Sequence, residues 1–122
     1  MSSLWLLVVL ICPVVAQINF TPVVQTKTGP VRGEILTYGN VTVHRYQGIP
    51  YAKPPLGELR FARPQPVSPW TDTLDAVQYR NRCILDKSFD ALFYGERELP
   101  PTNEDCLHLL IVIPEHKKDG KK

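Results

Sequence analysis

Acyl transfer through a serine needs the hydroxyl on a sharp turn between glycines, with a histidine and a carboxylate in reach. Glycines stand at that spacing in Gly29-Pro30-Val31-Arg32-Gly33, but Val31 holds the position the nucleophile requires. No two glycines are consecutive anywhere, so no glycine-rich loop offers paired backbone amides to an oxyanion. Beyond the first few residues the serines are Ser68, between Val67 and Pro69, and Ser88, and neither has the glycine context. His44 falls in an alternating apolar–polar stretch and is expected on a strand surface. His108 falls in an apolar run. No catalytic residue is expected in this chain. His44, His108 and His116 form no pair at the spacing of a zinc site, so neither a metal nor another cofactor is expected.

The elements that would position such groups are short. Val23-Val24-Gln25-Thr26 is extended, Lys27-Thr28-Gly29-Pro30 is turn chemistry, and Val31 to Leu36 reads as one strand. Tyr38-Gly39-Asn40 is a second turn, and Val41-Thr42-Val43-His44-Arg45-Tyr46 alternates as a half-buried strand does. The order predicts a β-meander. Twelve prolines are about twice average usage, and most lie between Pro50 and Pro69 or at Pro100-Pro101. They predict an ordered, irregular surface wrap over 48–69, with Ile49, Tyr51, Leu56, Leu59, Phe61 and Trp70 to bury. Residues 74–79 fit a short strand or a turn of helix equally well. Leu107-His108-Leu109-Leu110-Ile111-Val112-Ile113 is the most apolar run after residue 16 and is expected to be a strand buried on both faces within a large α/β sheet. Residues 115–122 read as a charged, solvated tail, leaving that strand uncovered by anything after it.

Residues 1–16 carry no charge, hold a short apolar core broken at Pro13, and end in the small pair Val14 and Ala16. That is the pattern of a secretory signal cleaved between Ala16 and Gln17, and it is too short to span a bilayer. A secreted, extracellular chain keeps Cys83 and Cys106, an even pair in an oxidising compartment. A bridge between them would contribute about 3–4 kcal/mol; two buried thiols or a metal pair are the alternatives. Asn19-Phe20-Thr21 and Asn40-Val41-Thr42 are glycosylation sequons, the first weakened by Pro22. A net charge of +2 gives no reason to expect nucleic acid or an acidic membrane surface as a partner.

Tyr46-Gln47-Gly48-Ile49-Pro50-Tyr51-Ala52-Lys53-Pro54-Pro55-Leu56-Gly57-Glu58-Leu59-Arg60-Phe61 resembles the N-terminal hallmark of type-B carboxylesterases and cholinesterases. Glu104-Asp105-Cys106-Leu107 resembles the start of that family's second signature, and the Gly29–Gly33 turn and residues 66–70 match in order and spacing. The resemblance implies an incomplete α/β-hydrolase over 17–114. It pairs Cys83 with Cys106 as the disulfide closing an omega-type loop, and Arg60 with Glu104 as a salt bridge beneath it. It makes 107–113 the first strand of the central sheet. The catalytic serine elbow, oxyanion glycines, acid and histidine are absent, so carboxylic esters are expected as substrates of a full-length relative alone.

Two departures qualify the likeness. Leu110 stands where the family carries Asn, so hydrogen bonds at a buried position would be lost. The loop also has no Trp to face a quaternary ammonium, and Phe89, Phe93 and Tyr94 replace it only in part, which disfavours choline esters. The competing readings are a non-catalytic cholinesterase-like binding or adhesion protein, and a short secreted factor. An uncovered apolar strand, prone to aggregate, argues against the last.

Overall fold

The computed structural model describes residues 17–86, 88, 89, 92 and 99–115. The expected signal segment 1–16, with Ala16 and Cys12, and the tail after Glu115 lie outside the described residues. The described residues form six strands: β1 (Val24–Gln25), β2 (Pro30–Arg32), β3 (Glu34–Tyr38), β4 (Val41–Pro50), β5 (Leu74–Asp75) and β6 (His108–Pro114). They form two three-stranded sheets, ordered β1-β2-β5 and β3-β4-β6. Among the described residues no helix is long and apolar enough to cross a membrane.

The expected single strand over 31–36 is two strands in two sheets. Thr21 ends the first: its amide donates to the Gly33 carbonyl at 3.0 Å, and its Oγ1 accepts the Gly33 amide at 2.9 Å. Gly33 thus spends its ladder groups on an N-terminal partner, and β2 and β3 diverge. Thr21 is correspondingly buried. The β1–β2 turn is closed by Thr26, whose Oγ1 accepts the Gly29 amide at 3.1 Å. The β3–β4 hairpin turns at Gly39-Asn40, with Tyr38 opposite Val41.

Leu74–Asp75 is a strand, parallel to β2, with Val31 opposite Leu74 and Arg32 opposite Asp75. Ala76 follows and links the sheets: its amide donates to the Arg32 carbonyl and its carbonyl accepts the Gln47 amide, both at 2.7 Å. Val31, Tyr46 and Ala76 form the buried core, with Ile49 and Trp70 packed against it. The Trp70 indole N–H donates to the Pro30 carbonyl at 3.0 Å, which fixes the ring over the β1–β2 turn. Residues 51–73 carry one 3-10 turn, Gly57–Leu59, and are otherwise irregular, tied by an Ala52–Pro66 bridge.

The apolar run departs from expectation. It pairs antiparallel with β4 along one edge and is not buried: Leu110 is 54% and Val112 52% exposed. Its hydropathy calls for cover on both faces, and the described residues supply a neighbour on one side only. Leu110 is therefore not the buried position expected from the likeness.

The Arg32 guanidinium grips Asp75 through two bonds of 2.8 and 2.9 Å. That hydrogen bonding holds the Asp75 carboxyl below the ordinary aspartate range and raises Arg32. Because the folded chain favours the ionised carboxylate, the pair stabilises above about pH 4 and the contribution fades as pH falls through the lowered value. Asp75→Asn should flatten the acid limb of a stability–pH curve; an acid limb identical to the parent's would rule the pair out as its source.

Candidate functional site

The residues singled out by chemistry converge where β4 meets β6. Cys83 and Cys106 are joined as a disulfide, Cα atoms 5.0 Å apart. The loop so closed is anchored at its base by backbone bonds from Arg82 to Pro101 (3.0 Å) and from Asn103 to Arg82 (2.9 Å). Two side chains add to these: Arg82 Nε donates to the Pro100 carbonyl at 3.0 Å, and Asn81 Nδ2 to the Asp105 carbonyl at 3.2 Å. The two prolines, unable to donate, act here as acceptors.

Arg60 Nη2 lies 2.7 Å from Glu104 Oε1, two residues before the bridge. Both side chains keep partial solvent contact, so the attraction is screened and orients the loop more than it stabilises the fold. The Arg60 guanidinium also lies 5.2 Å from the centre of the Phe61 ring. Phe61 has φ of +61° and is 95% exposed.

Gly48 shapes the other side. It is the extra residue of a β-bulge, between Gln47 opposite Leu110 and Ile49 opposite Leu109. Its φ is +84°, and a Cβ there would meet the Gln78 carbonyl oxygen at 2.5 Å and Arg80 Cγ at 2.8 Å. Between the bulge and the disulfide lies a cleft of about 260 Å³, with Gln47, Tyr79, Arg80, Asn81, Cys83, Cys106 and His108 among its lining residues. Among the described residues lining it, none is a serine or a carboxylate.

His108 reaches this cleft from β6. Its Nε2 is 4.0 Å from Asp105 Oδ1, and its Nδ1 is buried with no hydrogen-bond partner. Such an orphan nitrogen costs about 1–3 kcal/mol. His44 sits in the middle strand of its sheet, opposite Ile35 on one side and Ile113 on the other. Among the described residues no serine hydroxyl is bonded to either histidine, and no group of three metal-ligating side chains comes together. Ser88 instead donates its backbone amide to Asp86 Oδ1 at 2.9 Å, holding that carboxyl below its ordinary range. The arrangement can hold a loop and offer cations to a ligand; among the described residues it has no nucleophile–base pair.

Asn40 lies exposed at the β3–β4 turn. Asn19 is also exposed, with its carbonyl accepting the Ile35 amide at 2.7 Å. Of the aromatic residues in the disulfide loop, Phe89 is half exposed, while Phe93 and Tyr94 lie outside the described residues. Sequence reasoning missed the Arg32–Asp75 pair and the Gly48 bulge. An isolated glycine inside a strand pattern was the available signal for the bulge; nothing local signals the ion pair.

Comparison with known proteins agrees with this architecture. The pattern of the carboxylesterase family matches residues 20–122. Over 96 residues the chain is 46% identical to "Cholinesterase" of Mus musculus, covering 75% of this chain and 16% of the relative. Over 123 residues it is 36% identical to "Pyrethroid hydrolase Ces2e" of Rattus norvegicus, covering 94% and 21%. A solved PNB esterase superposes with a TM-score of 0.64 at 41% identity, covering 75% of this chain and 18% of that one. The chain thus spans about a sixth to a fifth of the length of these relatives. On the family match and these likenesses, the chain belongs to the carboxylesterase family.

Proposed function

We propose that these residues are the N-terminal portion of a secreted carboxylic ester hydrolase, and that by themselves they do not cleave esters. The observation carrying this reading is the cleft beside the Cys83–Cys106 bridge, which among the described residues offers Arg80, Asn81 and His108 but no serine or carboxylate. Relatives carrying the names of esterases and hydrolases are about four and a half to five times as long as this chain, which leaves room for the catalytic groups elsewhere. In this reading residues 1–16 are a signal removed before Gln17, 17–114 are a partial hydrolase domain and 115–122 a solvated tail. The disulfide and the Arg60–Glu104 pair steady a loop at the substrate entrance. Of the two sequons, Asn40 is the better acceptor. Thr21, which completes the other, is only 3% exposed, its hydroxyl engaged with Pro22 and Gly33.

Expression of the chain in a secreting cell tests the proposal. The medium should yield a species starting at Gln17, with Cys83 and Cys106 joined and a glycan on Asn40. It should turn over a short-chain aryl ester no faster than a boiled control; faster turnover would refute the inactivity. A longer reading frame with a Gly-x-Ser-x-Gly elbow would support the hydrolase, whereas the same elbow with its Ser replaced would favour the binding-protein alternative.

A further inference from the structure

We infer that Asn19-Phe20-Thr21 is a latch whose closure and the cut between Ala16 and Gln17 exclude each other, so that cleavage must come first. The cut rests on the proposed signal; the latch rests on the described residues alone. The Asn19 carbonyl accepts the Ile35 amide at 2.7 Å, and Phe20 faces Glu34 in an antiparallel bridge. With the two Thr21 bonds to Gly33, three hydrogen bonds lay the segment along the start of β3. Its aromatic side chain reaches the other sheet. The Arg32 guanidinium of β2 lies 4.0 Å from the centre of the Phe20 ring while it holds Asp75 of β5. The latch thus touches both sheets at the joint where β2 and β3 part.

That joint needs an N-terminal partner. Gly33 packs so closely on β4 that an added Cβ would clash with the Arg45 carbonyl oxygen and the Tyr46 ring. Its amide, bonded to Thr21 in a buried position, would be orphaned there if Thr21 withdrew. Closure is therefore favoured once residues 33–35 and β4 are in place. Position along the chain creates the conflict. Gln17 and Ile18, both exposed, are all that separates the cut from the first latched residue, Asn19. Fully extended, two residues span about 7 Å. A peptidase takes an extended chain on both sides of the bond it cuts, and backbone tied into a ladder so near that bond keeps it out. Cutting of a closed chain waits for the latch to open, so its rate follows the open population. A chain still being made escapes this, because Gln17 emerges before the surface that receives the latch. A precursor that folds uncut stays uncut.

The 122-residue chain, folded in detergent with its Cys83–Cys106 bridge formed, is treated with purified signal peptidase, and loss of residues 1–16 is followed by mass. A second version carries a Gly/Ser spacer of about six residues after Gln17, which keeps the cut and the latch and adds about 20 Å of reach. The parent should be cut at least about tenfold more slowly than the spaced version, as opening of a segment held by hydrogen bonds of this kind gives. Thr21→Ala, which removes the acceptor for the Gly33 amide, should be cut at an intermediate rate. The Gly33 and Ile35 amides of the spaced version should exchange with deuterium as slowly as the parent's, showing a closed latch. Equal cutting of the parent and spaced versions, or fast exchange at both amides, would overturn the inference. No cut in any version, a nascent chain translated into microsomes included, would overturn the signal reading and the ordering with it.

Discussion

Replacing Cys83 and Cys106 together by serine is expected to lower the free energy of unfolding by about 3–4 kcal/mol, which is the chain entropy a loop of this length releases when uncrosslinked. The effect is large against the small core that backs it. Ile84 and Leu85 beside the bridge are largely exposed, and the fully and nearly buried apolar residues described are Val31, Tyr46, Ala52 and Ala76. A core that small leaves the folded state a narrow margin, so the loss is comparable with total stability. A second route leads through β6: Cys106 stands two residues before it, and freeing the loop frees the entry of the strand that pairs with β4. Denaturant titration followed by circular dichroism, with and without reductant, measures this. The double variant and the reduced parent should share one early midpoint, and a midpoint equal to the oxidised parent's would dispose of the argument.

Gly48→Ala is the second large effect, expected to cost about 2–4 kcal/mol as left-handed strain adds to overpacking. The φ of +84° alone penalises a side chain, and the new methyl would press on the Gln78 carbonyl, a backbone atom that has no rotamer to escape into. Relief would need the bulge to open. That would separate Gln47 from Ala76, whose hydrogen bond at 2.7 Å joins the sheets, and shift Ile49 from Leu109. Gly39→Ala provides the comparison. Its φ is +59° and nothing lies within 4 Å of the added methyl, so strain alone acts and a loss of about 1 kcal/mol is expected. Equal midpoints for the two variants would show that crowding at the bulge contributes nothing.

Local patterns carried part of this architecture and long-range ones did not. The alternation over 41–46 located β4, whose observed span runs on to Pro50, because alternation reports a half-buried strand wherever its partners come from. The hallmark around Arg60 and the Glu104-Asp105-Cys106 box identified the pair now seen 2.7 Å apart and the cysteines now seen bonded. The split at Gly33 was illegible because it is made by Thr21, twelve residues earlier, competing for the ladder groups of a stretch that looks continuous. β5 was illegible for a related reason: two residues have no periodicity, and Leu74 becomes a strand only because β2 lies alongside. For β6 the hydropathy predicted burial and the strand is exposed, because hydropathy says nothing about whether a covering element is at hand. The cleft could not be read at all, since its walls come from β4, β6 and the loop start.

Ala76 gives the molecule its cooperativity. With its amide committed to one sheet and its carbonyl to the other, this single buried residue makes each sheet the boundary condition of its neighbour. The β1-β2-β5 sheet, with strands of two or three residues, is too small to persist alone in water. The sheets are therefore expected to melt together, and opening at either end is felt at the other through the two peptide groups that flank one residue.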